Sequence, residues 1–295
     1  MRYTKQKRHE YDKCNICGEY ARLTWDHVPP KSVKIAPGAY SNCLFDDKGM
    51  PTESRYEKRF QNGVKYRTIC EKCNGALLGG YDQDYAEFIR MVNSGMESLA
   101  QEAIKPNTTP VGAAIIQVRV KINRILRSIV GHFLSMKRIY DTDTLIDAYL
   151  RTYLLDITKR LTDVKLYSWF YPYLTIINVR DVATKGHMDT HPSGFISAMN
   201  AFPLAYLLST KDESICGLDD LGSYSTTDIE DEVTVCLHTD TAYYPRAEKS
   251  ADGEILRVRR KSFWWPVNIS DDAFGAYFVM GNDEIMAGST IAVQR

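Results

Sequence analysis

Two Cys-x-x-Cys pairs, Cys14/Cys17 and Cys70/Cys73, constrain this chain more than any other feature in it. Paired thiolates at that spacing, twice over, bind one tetrahedral zinc ion. Four thiolates leave no open coordination position, so the site is expected to be structural. Each pair sits in a tight knuckle, Cys14-Asn-Ile-Cys17-Gly18 and Cys70-Glu-Lys-Cys73-Asn74. Residues 18–69 are more chain than a compact zinc ribbon needs, so the ion would close a whole subdomain. The plain alternative is four unrelated thiols. An odd total of seven cysteines, with no signal-peptide pattern at the N-terminus, argues against a disulfide framework. Cys43 reads as a free thiol or a replacement ligand, and Cys216 and Cys236 read as core packing residues.

The pattern around the pairs is strand, long loop, strand, helix. Residues 21–28 (ARLTWDHV) read as a strand that must stop at Pro29-Pro30. A Gly-, Pro- and Ser-rich loop follows over 31–52, with a short helix at 55–60. VKYRTI (64–69) reads as a second strand, and residues 70–80 as a short helix stopped by Gly79-Gly80. Apolar spacing predicts further helices over 82–105, 113–138 and 143–157, and strands from Lys165 onward. PNTTPVG (106–112) is the best linker, which divides the chain into 1–105 and 106–295.

Composition places few limits beyond these. With 44% hydrophobic and 25% charged residues the chain reads as an ordinary globular protein. No run approaches the roughly 20 apolar residues that span a bilayer, so no membrane partner and a cytoplasmic location are expected. Net charge is zero, yet residues 1–75 hold fifteen Lys and Arg against nine Asp and Glu. A basic N-terminal segment suits a polyanion, because Lys and Arg neutralise phosphates and release counterions.

Between the pairs lies Trp25-Asp26-His27-Val28-Pro29-Pro30-Lys31, and directly after the last cysteine comes Asn74. An Asp-His-x-x-Pro run after one Cys-x-x-Cys, followed by Cys-x-x-Cys-Asn, resembles the HNH branch of the ββα-metal endonucleases. The resemblance covers roughly residues 10–85. It implies that His27 is the general base that deprotonates the attacking water, a task suited to a group titrating near neutrality. It implies that Asp26 and Asn74 ligate a catalytic Mg²⁺ or Mn²⁺, separate from the zinc. The family's middle residue, which orients the base, is less clearly matched: Asn62 is the nearest candidate, and Arg67 or Thr68 are alternatives. The expected architecture is α+β, a zinc-stapled ββα-metal nuclease domain over 1–105. A larger α+β domain, with a long helix and C-terminal strands, would follow over 106–295 for targeting, oligomerisation or regulation. The expected reaction is phosphodiester hydrolysis in DNA, with RNA as the alternative substrate. By analogy alone it would serve anti-phage defence, with defence-system proteins or further copies of the chain as partners. The rival from another class is a non-catalytic zinc-binding nucleic-acid or protein adaptor on the same fold.

Other features carry weaker readings. Lys31 reads as a phosphate contact or a solvated loop lysine. His187, Asp189 and His191 form a loop with metal-type ligands but no further ligand beside them. His132 reads as a packed helix residue. The cations from Arg119 to Arg138 form either a nucleic-acid stripe or a solvated face. Arg257–Lys261 beside Phe263, Trp264 and Trp265 combines charge with stacking surface, as single-strand binders do, or is strand core with exposed charge.

Overall fold

A computed structural model describes residues 8–33, 39–41, 58–60, 64–103, 115–137, 145–170, 175–185, 192–201, 203–210 and 218–238. In chain order its elements are β1 (Tyr11–Lys13), β2 (Tyr20–Val28), β3 (Ala39–Ser41), β4 (Lys58–Phe60), β5 (Val64–Cys70), α1 (Gly79–Ala103), β6 (Ile115–Lys121) and α2 (Ile122–Ser135). Then come α3 (Leu145–Leu155), β7 (Lys165–Phe170), β8 (Thr175–Lys185), β9 (Pro192–Ala201), β10 (Leu204–Ser209), β11 (Asp219–Asp220) and β12 (Glu232–His238). The architecture is mixed α+β. A sheet of order β1-β2-β5 carries both cysteine knuckles, a sheet of order β11-β7-β10-β9-β8-β3-β4 forms the largest layer, and β6 pairs with β12.

β2 and β5 lie antiparallel from Leu23↔Cys70 to Val28↔Val64, with an irregularity between Thr24 and Trp25. β5 runs straight into a wide π-helical segment, Lys72–Leu78, and this continues without a break into α1. The stop expected at Gly79-Gly80 does not occur, since Gly79 takes ordinary right-handed helical angles, φ −56° and ψ −30°. Glycine permits a left-handed helix end but does not impose one. α1 then buries Tyr81, Tyr85, Phe88, Ile89, Val92 and Met96 at helical spacing.

Two further expectations change. The long helix over 113–138 is instead strand β6 followed by α2. Ile116, Val118 and Val120 are buried while Ile115, Gln117 and Arg119 are exposed, a period of two that suits β-branched residues on a half-buried strand. The residues at 58–60, read as part of a short helix, form β4 against β3 at the edge of the largest sheet.

α2 is the central element: every residue from Ile122 to Ser135 except Arg124 is buried. It approaches the π-helical segment so closely that a Cβ on Gly131 would lie 2.2 Å from Leu78 Cδ2, which accounts for a glycine inside a helix. Asn15 Nδ2, in the first knuckle, donates to the carbonyls of Leu134 (2.9 Å) and Lys137 (2.7 Å) just at and beyond the end of α2. Arg180 on β8 donates from Nε to Phe133 O (3.0 Å) and pairs with buried Asp147 of α3, which also pairs with Lys137. One cluster of buried side chains runs from Cys14 through α1, β6, α2 and α3 to Leu237. The 106–112 segment lies outside the described residues, and the helices and strands on either side of it share that cluster. Among the described residues no helix is long and apolar enough to cross a membrane.

Candidate metal centre and candidate active site

The first knuckle is closed by backbone geometry. Gly18 has φ 75°, a left-handed turn that a Cβ would strain. Its N–H donates to Cys14 O (2.9 Å), and Cys14 N–H donates to Glu19 O (2.8 Å). The second knuckle leaves the end of β5, and Asn15 N–H reaches Thr68 O (3.0 Å), so the two knuckles face each other. As a result the sulfurs of Cys14, Cys17, Cys70 and Cys73 all lie within 4.8 Å of one another. The Sγ atoms of Cys17 and Cys70 are 3.9 Å apart. Zn–S bonds of about 2.3 Å in a tetrahedron call for S···S separations of about 3.8 Å, so the four fit one zinc ion.

The electrostatics agree with a cation site. Cys14 Sγ accepts backbone N–H bonds from Ile16 (3.4 Å) and Cys70 (3.3 Å). A hydrogen bond from Cys73 chiefly, with these amides, outweighs burial and holds the Cys14 thiol down to about 5. Burial and the Cys14 charge push Cys17 up to about 11, and the Cys14 thiolate and burial push Cys73 far up. Thiolates this close disfavour one another unless a cation sits among them. Cys236 stands apart, accepting from Gln117 Nε2 at 3.7 Å. Cys43 and Cys216 lie outside the described residues.

β2 ends at Val28 before Pro29-Pro30, with Asp26 and His27 on alternate faces near its end. His27 is half-buried opposite Lys65. Burial above all, then the charges of Lys65 and Lys31, hold its pKa below the usual histidine value, against the pull of Asp26. Asp26 faces the other way, its side chain 5% exposed, and Oδ2 accepts from His132 Nδ1 at 3.1 Å. His132 Nε2 meets Asp82 Oδ1 of α1 at 3.0 Å, and Ser128 Oγ donates to the same oxygen at 2.7 Å. Burial disfavours the His132 imidazolium, yet the two flanking carboxylates outweigh it and raise its pKa to about 10. Asn74, in the π-helical segment, donates from Nδ2 to Thr24 Oγ1 and to Trp25 O, both at 3.0 Å. Among the described residues neither Asp26 Oδ1 nor Asn74 Oδ1 has a hydrogen-bond partner, so each retains an oxygen suited to a hard cation.

Other sequence candidates fall differently. Arg67 lies 5.6 Å from the Trp25 ring centroid and donates to Arg8 O, while Thr68 Oγ1 donates to Ser135 O at 2.6 Å. Neither bonds His27 among the described residues, and Asn62 lies outside them. The described part of the Arg119–Arg138 stripe is dispersed by the β6–α2 break, and Arg138 lies outside the described residues. Arg119 pairs with Glu232, Lys121 with Glu230, and Arg124 with Asp84 and Glu230. Arg127 is buried over the Tyr153 ring, donating to carbonyls at the end of α3. His187, Asp189, His191 and Arg257–Trp265 lie outside the described residues. A surface cavity of about 730 Å³ opens between α1 and β6, but Asp26, His27 and Asn74 do not line it.

His132, read from the sequence as a packed helix residue, is fully buried in α2; what the sequence reading lacked were its partners, Asp82 with Ser128 on one side and Asp26 on the other. The available signal was a polar residue on an apolar stripe, since Ile125, Ser128, Ile129 and His132 share one face of α2. Buried polar groups find partners, so a histidine there implies a carboxylate or carbonyl elsewhere. Compared with known proteins, the chain matches no family model, no curated protein and no solved structure.

Proposed function

We propose that the chain is a metal-dependent endonuclease of the HNH type that hydrolyses phosphodiester bonds in DNA. One observation carries the reading: the Asn74 amide is tied to the backbone immediately before Asp26-His27, beside a four-cysteine cluster that fixes both segments. His27 is the general base. Held below the usual histidine pKa, it is neutral at pH 7 and accepts a proton from the attacking water. The water oxygen then bonds to phosphorus as the bond to the 3′ oxygen breaks, and that oxygen takes a proton from solvent water, giving a 5′ phosphate and a 3′ hydroxyl. Asp26 and Asn74 would hold a divalent ion, Mg²⁺ or Mn²⁺, whose charge would stabilise the phosphate and the leaving oxygen. Lys31 and Lys65 flank His27 and favour an approaching polyanion.

The test is cleavage of DNA by the purified full chain with Mg²⁺ or Mn²⁺. His27→Ala lowers the rate by about 10²–10⁴ while zinc content and DNA binding persist, because only the base is lost. Asp26→Ala and Asn74→Ala also inactivate, and raised Mn²⁺ partly restores these two but not His27→Ala. A His27→Ala protein that cleaves at the wild-type rate ends the assignment. The burial of Asp26 favours the second reading, a zinc-stapled adaptor without catalysis. DNA binding without cleavage by the wild-type chain under all these conditions would select it.

A further inference from the structure

The side chains of Asp26, His132, Asp82 and Ser128 form one hydrogen-bonded chain; Asp26, His132 and Ser128 are buried and Asp82 is part-buried, and His132, Asp82 and Ser128 are unused by the reaction as described so far. It joins three elements: Asp26 near the end of β2, Asp82 in the first turn of α1, and His132 with Ser128 one turn apart on α2. His132 is fully buried and clamped at both ring nitrogens, at 3.1 Å and 3.0 Å, so its ring cannot turn. Asp82 is in turn fixed by Ser128 Oγ, and its carbonyl accepts from Ser32 Oγ at 3.2 Å. The one flexible joint left is the Asp26 carboxylate, and the imidazole takes its Oδ2. The opposite oxygen has no partner among the described residues.

We propose that His132 is a positioning residue of the candidate active site: by hydrogen-bonding one oxygen of Asp26, it presents the other to the divalent ion. The inference rests on the reading of Asp26 as a ligand of that ion. An unsupported aspartate rotates about its last torsion, whereas a carboxylate bonded at one oxygen to a fixed imidazole offers one lone-pair direction. Partners that orient ligating carboxylates in this way are worth about 10–100-fold in metal affinity. α2 thereby belongs to the site, although it lies beyond the zinc-stapled segment in sequence.

The two amide isosteres of histidine separate the two ends of the clamp. Asparagine places its amide near the ring's δ nitrogen and keeps a donor for Asp26, whereas glutamine reaches the ε position and keeps only Asp82. Mn²⁺ binding to the zinc-loaded full chain is measured without substrate, from the electron-spin resonance signal of the free ion. His132→Asn should bind Mn²⁺ like wild type, and His132→Gln should bind about 10–100-fold more weakly, both retaining zinc and helical circular dichroism. Equal affinities in the two variants, whether both strong or both weak, overturn the positioning role. Asp26→Asn is the control on the underlying reading. If it binds Mn²⁺ like wild type, Asp26 is no ligand and both ideas fall. If it loses Mn²⁺ while the 132 variants match, only the role of His132 falls. Should neither 132 variant fold, the wild-type chain labelled with [¹⁵N]histidine decides. Mg²⁺ should shift the δ nitrogen of one solvent-protected imidazole saturably, and an unmoved signal overturns the proposal.

Discussion

His27 loses its proton more readily than a free imidazole for reasons that can be separated by substitution. Burial strips water from the ring, and Lys65 directly across the ribbon repels the imidazolium, with Asp26 pulling the other way. If His27 is the base, kcat/KM falls on an acid limb whose midpoint lies below the unperturbed histidine value of about 6.5. Lys65→Met removes a neighbouring positive charge, so protonation becomes easier, the His27 pKa rises, and the limb moves toward higher pH. The shift should shrink as salt is added, because Lys65 is exposed and screened. A pH profile of both proteins at low and high salt checks this, and a limb that stays put in Lys65→Met detaches it from His27. The residues legible in sequence were the local ones. Four cysteines in two knuckles, Asp26 beside His27, and Asn74 beside Cys73 all announce themselves through neighbours. His132 and Asp26 stand 106 positions apart, and His132 and Asp82 stand 50 apart. No periodicity reports a hydrogen bond of that kind, so a histidine on an apolar stripe could only be read as packed.

At the scale of elements, the reading succeeded where period and punctuation agreed and failed where they competed. β2 and β5 were legible because β-branched and aromatic residues run between strong breakers. β6 was not, because IIQVRVK continues into INRILRSIVGHF, and both share isoleucines that match a helical period by coincidence. Pairing with β12, more than 110 residues downstream in every register pair, decides for strand. Gly79-Gly80 misled for the opposite reason, as packing carried the helix through a pair of residues that only permit a stop. Beside the β1-β2-β5 ladders, a second joint among these elements is the cysteine cluster, which brings the knuckle between β1 and β2 against the end of β5 and the π-helical segment. Protein purified without added metal should therefore contain about one zinc per chain by elemental analysis. Cys70→Ser breaks the joint at the β5 end, and because metal binding and folding are coupled, it should lower both zinc content and melting temperature. Unchanged zinc content in Cys70→Ser would remove the four-cysteine site.

Taken as a whole molecule, the chain ties its four-cysteine segment to later residues by packing as well as by polar contacts. Leu78, Tyr85, Phe88, Val92 and Met96 before the 106–112 segment belong to the same buried cluster as Ile122, Ile125, Ile129 and Phe133 after it. Each such side chain is worth about 1.5–3 kcal/mol when fully buried, and several would be returned to water if the second half were removed. Polar groups would be stranded too: Asn15 would lose the Leu134 and Lys137 carbonyls, and Asp26 would lose His132. One zinc ion would suffice to close the knuckles, because the four clustered cysteines all lie within residues 14–73. A fragment of residues 1–105 is therefore expected to bind zinc and yet to lack a cooperative thermal transition. The full chain should unfold in one transition that involves α1 and α2 together. Differential scanning calorimetry with amide-resolved NMR of the fragment distinguishes the cases. A sharp transition and dispersed amide signals from 1–105 alone would mean that α2 is a neighbour of the four-cysteine unit and no part of its fold.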